Sequence, residues 1–162
     1  MSHKAQVVDR LRRDGIPFEY FEHPAAHTMA DCAALPFAGP DVMFCKNILL
    51  CNRQKTAFYL YVTPPDKPFR TSEVSKALGV SRLSFAPPET LPALLGLESG
   101  SLSPLAAWFD RDGVIQLVFD REARRPGRIA FHPCDNTATL VFTQDAFWER
   151  VVPALGHPVI FL

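Results

Sequence analysis

The run Phe44-Cys45-Lys46-Asn47-Ile48-Leu49-Leu50-Cys51 constrains the fold more than any other stretch of the chain. Read with a period of two, it sends Lys46, Ile48 and Leu50 to one side and Cys45, Asn47, Leu49 and Cys51 to the other. Both sides are largely apolar, which predicts a strand covered on both faces, between two layers. Lys46 is out of place there. An ammonium in an apolar wall is costly unless it meets an anion or borders a cleft, although a lysine at a strand mouth can also snorkel to water.

A chain of 162 residues suits one domain with a real core, spanning 1–162. Seventeen basic and seventeen acidic residues balance, so contact with nucleic acid has to use a local patch, and a DNA-coating role is not expected. No apolar run is long enough for a membrane span, and the polar start Met1-Ser2-His3-Lys4-Ala5 lacks the apolar core of a signal peptide. Cys32, Cys45, Cys51 and Cys134 show no Cys-x-x-Cys spacing, which predicts reduced thiols and a cytoplasmic protein.

Ala5 to Asp14 reads as a surface helix stopped by Gly15, and residues 18–22 as a strand broken by His23-Pro24. Thr28 is placed to cap a short helix through Ala34, with Asp31 completing a capping box. A loop over 36–40 leads to the Lys46 strand, and 57–62 returns as its hairpin partner. A helix capped by Thr71-Ser72 ends at Gly79, a short strand covers 82–86, and a short helix runs through Leu95. Residues 97–104 read as a loop. Strands follow at 114–119, 128–132 and 138–142, then a helix capped by Thr143 and an edge strand after Pro158. Mixed strands and short helices without βαβ regularity predict an α/β (α+β) domain around a curved mixed sheet.

Beside Lys46, two segments carry the polar groups that chemistry needs. In Gly100-Ser101-Leu102-Ser103-Pro104 the glycine lets backbone N–H groups approach a ligand and cradle a carbonyl or oxyanion; a plain turn before Pro104 is the simpler alternative. His132, at a strand end with Asn136 near, is a base, a ligand contact or a structural histidine. His23, His27 and Cys32 raise a metal site, but Pro24 opposes the helix their spacing needs and a fourth ligand is missing, so none is expected. Cys45 beside Lys46 fits a buried structural thiol better than a thiolate nucleophile. Ser101 and Ser103 do not form a Gly-x-Ser-x-Gly elbow. Arg121, Arg124, Arg125 and Arg128 form a basic cluster that either meets phosphate or is a solvated turn neutralised by Asp120 and Glu122.

Taken together, these landmarks resemble the YbaK/ProX family of trans-editing aminoacyl-tRNA deacylases, in its prolyl-tRNA-synthetase-associated branch. Glu22-His23-Pro24 with Thr28 looks like the early motif and Lys46-Asn47-Ile48-Leu49-Leu50 like the Lys-Asn-Leu-Phe-Leu strand. Arg82 to Ala86 and Gly100 to Pro104 match the stretch ending in the Gly-x-x-x-Pro loop. Phe131-His132-Pro133 with Asn136 to Thr139 matches the late histidine motif. Ala30, where relatives often carry an acid, and Cys134, where they often carry a polar residue, depart from the pattern.

The resemblance implies a central barrel-like mixed sheet with flanking short helices. It implies hydrolysis of an aminoacyl ester at the tRNA 3′ end, without cofactor or metal, the attacking water being helped by the substrate's ribose hydroxyl. Lys46, Gly100 and His132 carry over as catalytic residues. Thr28, Asn47, Ser101, Leu102, Ser103, Pro104 and Asn136 carry over as substrate-binding ones. The partner is the acceptor end of tRNA(Pro), with a transient contact to prolyl-tRNA synthetase in addition; alanyl-tRNA(Pro) is the first expectation for substrate. A non-catalytic sensor of the same fold and a Cys-tRNA(Pro) deacylase are the alternatives.

Overall fold

Period-two alternation of apolar residues organises the whole molecule. In the computed structural model, which describes all 162 residues, the strands β1 (Glu19–Glu22), β2 (Val42–Phe44), β3 (Lys46–Cys51), β4 (Phe58–Thr63), β5 (Ser84–Phe85), β6 (Ile115–Phe119), β7 (Arg128–Phe131), β8 (Ala138–Thr143) and β9 (Val159–Phe161) form two sheets. One has the order β1-β8-β7-β2 and the other β5-β3-β4-β6-β9. Both are mixed: β2 runs parallel to β7, and β4, β6 and β9 run parallel to one another, while the remaining pairs are antiparallel. The α/β class with mixed strands and short helices is as expected. The strands do not close into a barrel, because each sheet keeps two edges.

The main core lies between the sheets. Leu49, Leu60, Leu117 and Phe119 from one sheet meet Met43, Ile129, Phe131, Leu140 and Phe142 from the other. The helix α1 (His3–Arg13) adds Val7 and Leu11, and a helical segment over 144–154 adds Phe147 and Trp148. Alternate residues point outward into two smaller layers. Leu50, Tyr61 and Val118 pack with Val74 of α3 (Thr71–Leu78). Val42, Phe44, Ala130 and Val141 pack with Cys32 of α2 (Met29–Ala33). Strands buried on both faces read as near-continuous apolar runs, which is the pattern of 42–51. Truncating a fully buried side chain such as Leu60 to alanine would cost about 2–5 kcal/mol.

The stretch predicted as one strand is in fact two. The chain leaves the first sheet after Phe44 and enters the second at Lys46, with Cys45 at the switch. The carbonyl of Cys45 accepts from Asn47 Nδ2 at 3.2 Å, satisfying a backbone acceptor where the ladder changes partner. Alternation of side chains continues through the switch, so periodicity carries no sign of it. Smaller differences have local causes. Thr71 begins α3 rather than capping it, and Arg70 at the cap makes no side-chain bond. The loop expected up to Pro104 runs into a 3₁₀ helix, Pro104–Phe109, in which Ser103 is the N-cap. A proline at the first helical position, preset in φ and lacking an N–H to satisfy, favours this start.

Candidate active site

Five chain segments meet around a cavity of about 420 Å³. The β2–β3 switch supplies Cys45, Lys46 and Asn47; the start of α2 supplies His27, Thr28 and Cys32. The loop at Gly100 and Leu102, the end of β7 at His132, and the turn after β5 close the remaining sides.

Lys46 is the first residue of β3, paired with Thr63, and is half-buried. Its Nζ donates to the carbonyl oxygen of Lys67 at 2.7 Å, and it forms no salt bridge. Lys67 is spent elsewhere: its ammonium pairs with Asp120 at 2.7 Å and with Glu122. Those hydrogen bonds, to Asp120 first, raise its pKa and keep it charged. Asp120 is 2 % exposed. Burial pushes its carboxyl up, but donation by Lys67 and by Tyr61 Oη, at 2.7 Å, outweighs burial and leaves it below the ordinary value.

Gly100 has φ +82, a left-handed conformation, and a Cβ there would lie 3.1 Å from the Cα and carbonyl oxygen of His27. Glycine is thus demanded twice, by torsion and by the approach of the next loop. Asn136, buried, ties the same loops together: Nδ2 reaches His27 Nδ1 at 3.1 Å and Ser99 O at 3.4 Å. Gly100 and Leu102 line the cavity, and their N–H groups donate to no acceptor in the protein. Thr28 caps α2, accepting from Asp31 N at 3.1 Å, and Asp31 accepts from the N–H groups of His27 and Thr28. Those two donors hold the Asp31 carboxyl below its usual range.

His132 is 8 % exposed. Its Nδ1 lies 2.8 Å from Ala138 O and its Nε2 3.5 Å from Cys32 Sγ. A carbonyl only accepts, so the ring proton sits on Nδ1 and the Nε2 lone pair faces the thiol. Burial lowers the imidazole pKa, favouring the neutral ring. The thiols are not poised to attack. Burial raises Cys32 and pushes Cys45 up to about 12.

Of the residues singled out in the sequence, Lys46, Asn47, Thr28, Gly100, Leu102 and His132 line one cavity. Ser101, Ser103, Pro104 and Asn136 do not; they are buried behind it. Ser103 Oγ accepts from Leu105 N at 3.3 Å, and Pro104 starts the 3₁₀ helix that anchors the loop. Asn47 Oδ1 is buried without a donor. His23 and His27 turn to separate partners, Thr139 and Asn136, while Cys32 turns to His132. The arginine cluster is largely neutralised. Arg124 pairs with Asp145 and Glu149, Arg125 with Asp66, and Arg128 with Asp41 and Glu19. Sequence reasoning did not connect Cys32 with His132, a contact between residues 100 apart, nor flag Phe85 at the mouth. The available signs of the latter were an aromatic in a short strand and its place in the family-like stretch Arg82 to Ala86.

Comparison with known proteins agrees with this architecture. The chain is 27% identical over 157 residues to the prolyl-tRNA editing protein ProX of Acetoanaerobium sticklandii, covering 97% of this chain and 94% of that one. It is 32% identical over 121 residues to prolyl-tRNA synthetase associated domain-containing protein 1 of Xenopus laevis, covering 72% and 71%. The crystal structure of hypothetical protein APE2540 superposes with a TM-score of 0.75 at 20% identity, covering 96% and 97%. That of a protein described as a candidate trans-editing enzyme for prolyl tRNA synthetase superposes with a TM-score of 0.70 at 18% identity, covering 100% and 98%. The model of the aminoacyl-tRNA editing domain matches residues 23–148, and the chain therefore belongs to that family.

Proposed function

We propose that this protein is a trans-editing aminoacyl-tRNA deacylase that hydrolyses the ester of mischarged tRNA(Pro), with alanyl-tRNA(Pro) as its first substrate. The observation that carries the proposal is the sharing of one cavity by Lys46 and by Gly100 and Leu102, whose N–H groups donate to nothing in the protein. The names of the ProX relative and of the structural neighbour support the substrate class.

An aminoacyl ester is already activated, so holding it and polarising its carbonyl can supply most of the catalysis. In the proposed reaction the carbonyl oxygen faces the N–H groups of Gly100 and Leu102, which stabilise the charge that develops there. Lys46 adds a cation on the same side of the ester or on the adjoining phosphate. Water adds to the carbonyl carbon, and the bond to the ribose oxygen breaks. That oxygen leaves as a hydroxyl, taking one of the two protons of the water, and the amino acid departs as a carboxylate, the other proton passing to solvent. The ribose hydroxyl next to the ester relays the proton that the leaving oxygen takes. His132, neutral, contacts the aminoacyl end, or orients the water when its Nε2 lone pair exchanges the Cys32 thiol for it. Neither Cys32 nor Cys45 serves as nucleophile, since burial keeps both protonated.

The cavity admits by size. A synthetase cannot reject a smaller apolar amino acid by binding alone, because one methylene is worth only about 1–3 kcal/mol. A second site that takes alanine and excludes proline corrects the error. The protein would act in the cytoplasm on the free acceptor end, with no more than a passing contact to the synthetase. Single-turnover hydrolysis of tRNA(Pro) charged with alanine, cysteine, serine or proline tests this. The alanyl ester should be lost fastest and the prolyl ester slowest; preference for proline overturns the size argument, and tight binding without hydrolysis of any ester overturns the enzyme.

A further inference from the structure

Phe85 is 63 % exposed, yet it lines the cavity. Single exposed apolar side chains are ordinary on a protein surface. What sets this one apart is how it is held. It ends the two-residue edge strand β5, opposite Leu50. The next residue locks the backbone, Ala86 N donating to Leu49 O at 2.9 Å, and Pro87 and Pro88 stiffen the chain beyond. The ring meets Phe69 in a T-shaped contact with centroids 5.6 Å apart, and Phe69 in turn lies 5.7 Å from Tyr61. Tyr61 is itself anchored to Asp120. A file of aromatic rings thus fixes Phe85 from behind, while most of its surface stays in water at the mouth of the site.

We propose that Phe85 is the stacking platform for the nucleobase of the substrate's terminal nucleotide. The inference rests on the proposed deacylation, because it starts from the ester. With the ester carbonyl between Lys46 and Gly100, the ribose that carries it lies toward the mouth, and the base attached to that ribose has to leave the cavity there. The rim it meets at Phe85, Ala86 and Pro87 offers no charged side chain. A base in that position is recognised by its π-face, and a rigid aromatic ring supplies a matching surface without ordering cost. The other uses of a fixed ring at this rim, contact with the aminoacyl side chain or simple closure of the lip, predict different behaviour.

The experiment uses a minihelix of the tRNA(Pro) acceptor stem ending in an alanyl amide in place of the ester, with the terminal adenine present or replaced by an abasic ribose. Binding of both RNAs is measured for the unmodified protein, Phe85→Ala and Phe85→Trp. Phe85→Ala should weaken the intact RNA about tenfold, leave the abasic RNA unchanged, and be rescued by Phe85→Trp. An equal loss on both RNAs, or no loss on the intact one, overturns the stacking role, as does absence of binding by the unmodified protein. Hydrolysis of the ester form of the same minihelix is followed alongside. A protein that discriminates the base but never opens the ester retains the platform and loses the enzymatic reading.

Discussion

Lys46 Nζ donates to the carbonyl oxygen of Lys67, while the ammonium of Lys67 is bound by Asp120 and Glu122. The two lysines are therefore used in opposite ways. A neutral carbonyl orients the Lys46 amine without cancelling its charge, whereas Lys67 is compensated by two carboxylates. No other lysine or arginine lines the cavity. Lys46→Gln keeps a donor for the carbonyl and removes the cation. It should lower kcat/KM for alanyl-tRNA(Pro) about 10²–10³-fold, while the urea midpoint moves little. Activity near that of the unmodified protein would take Lys46 out of the chemistry.

Gly100→Ala tests the loop. The left-handed φ strains any L side chain, at roughly 1–3 kcal/mol. The added methyl also presses on the backbone of His27 at 3.1 Å, where no flexible side-chain end can give way. Stability measured by urea should fall by about that amount. Activity should fall further than stability, because the N–H groups of Gly100 and Leu102, the proposed donors to the ester carbonyl, would be displaced. A variant as active as the parent would mean that these donors are not used.

His132 should titrate below a free imidazole. Burial lowers its pKa, and Ala138 O needs a proton on Nδ1 in either charge state, so only Nε2 gains one on acidification. The neutral ring is the one the fold prefers. Its contribution to stability is therefore complete above the unfolded value of about 6.5 and is lost as pH falls through the lowered folded value. NMR of the labelled ring should show its midpoint on the acid side of 6.5, and kcat/KM should show no inflection at 6.5 from this group. A midpoint at or above 6.5 would contradict the burial argument.

The parts legible in the sequence were those encoded locally or by period. Thr28 with Asp31 specified a capping box, the polar turn after Cys51 specified the β3–β4 hairpin, and alternation specified covered strands. The change of sheet at Cys45 was invisible, because the outward Val42 and Phe44 of β2 and Ile48 and Leu50 of β3 are all apolar and only their partners differ. The site was legible in its residue types and not in its layers. Ser103 and Asn136 have the chemistry of ligand contacts, but their hydrogen bonds are taken by the start of the 3₁₀ helix, a loop carbonyl, His27 and sulfur, and Ser101 is buried. Spacing along a chain does not say which polar side chain of a loop turns inward. The contact of Cys32 with His132 depends on packing α2 over the first sheet, which no local pattern encodes.

Asp120 links stability to the site. Its Oδ2 accepts from Tyr61 and Lys67, and its Oδ1 accepts from Glu122 N at 2.9 Å. Tyr61 backs the aromatic file to Phe85, and Lys67 presents the carbonyl that holds Lys46. Asp120→Asn removes the charge from a buried acceptor, which should cost roughly 2–3 kcal/mol near neutral pH and lower activity through a displaced Lys46. The folded carboxyl titrates below its ordinary 3.8. The stability it adds is therefore present above that value and disappears as pH falls through the depressed one. Urea midpoints of the parent and the variant should differ clearly at pH 7 and draw together as pH falls from 3.8 through the depressed folded value. A gap that is unchanged in acid would show that the charge of Asp120 contributes nothing and that shape alone matters there.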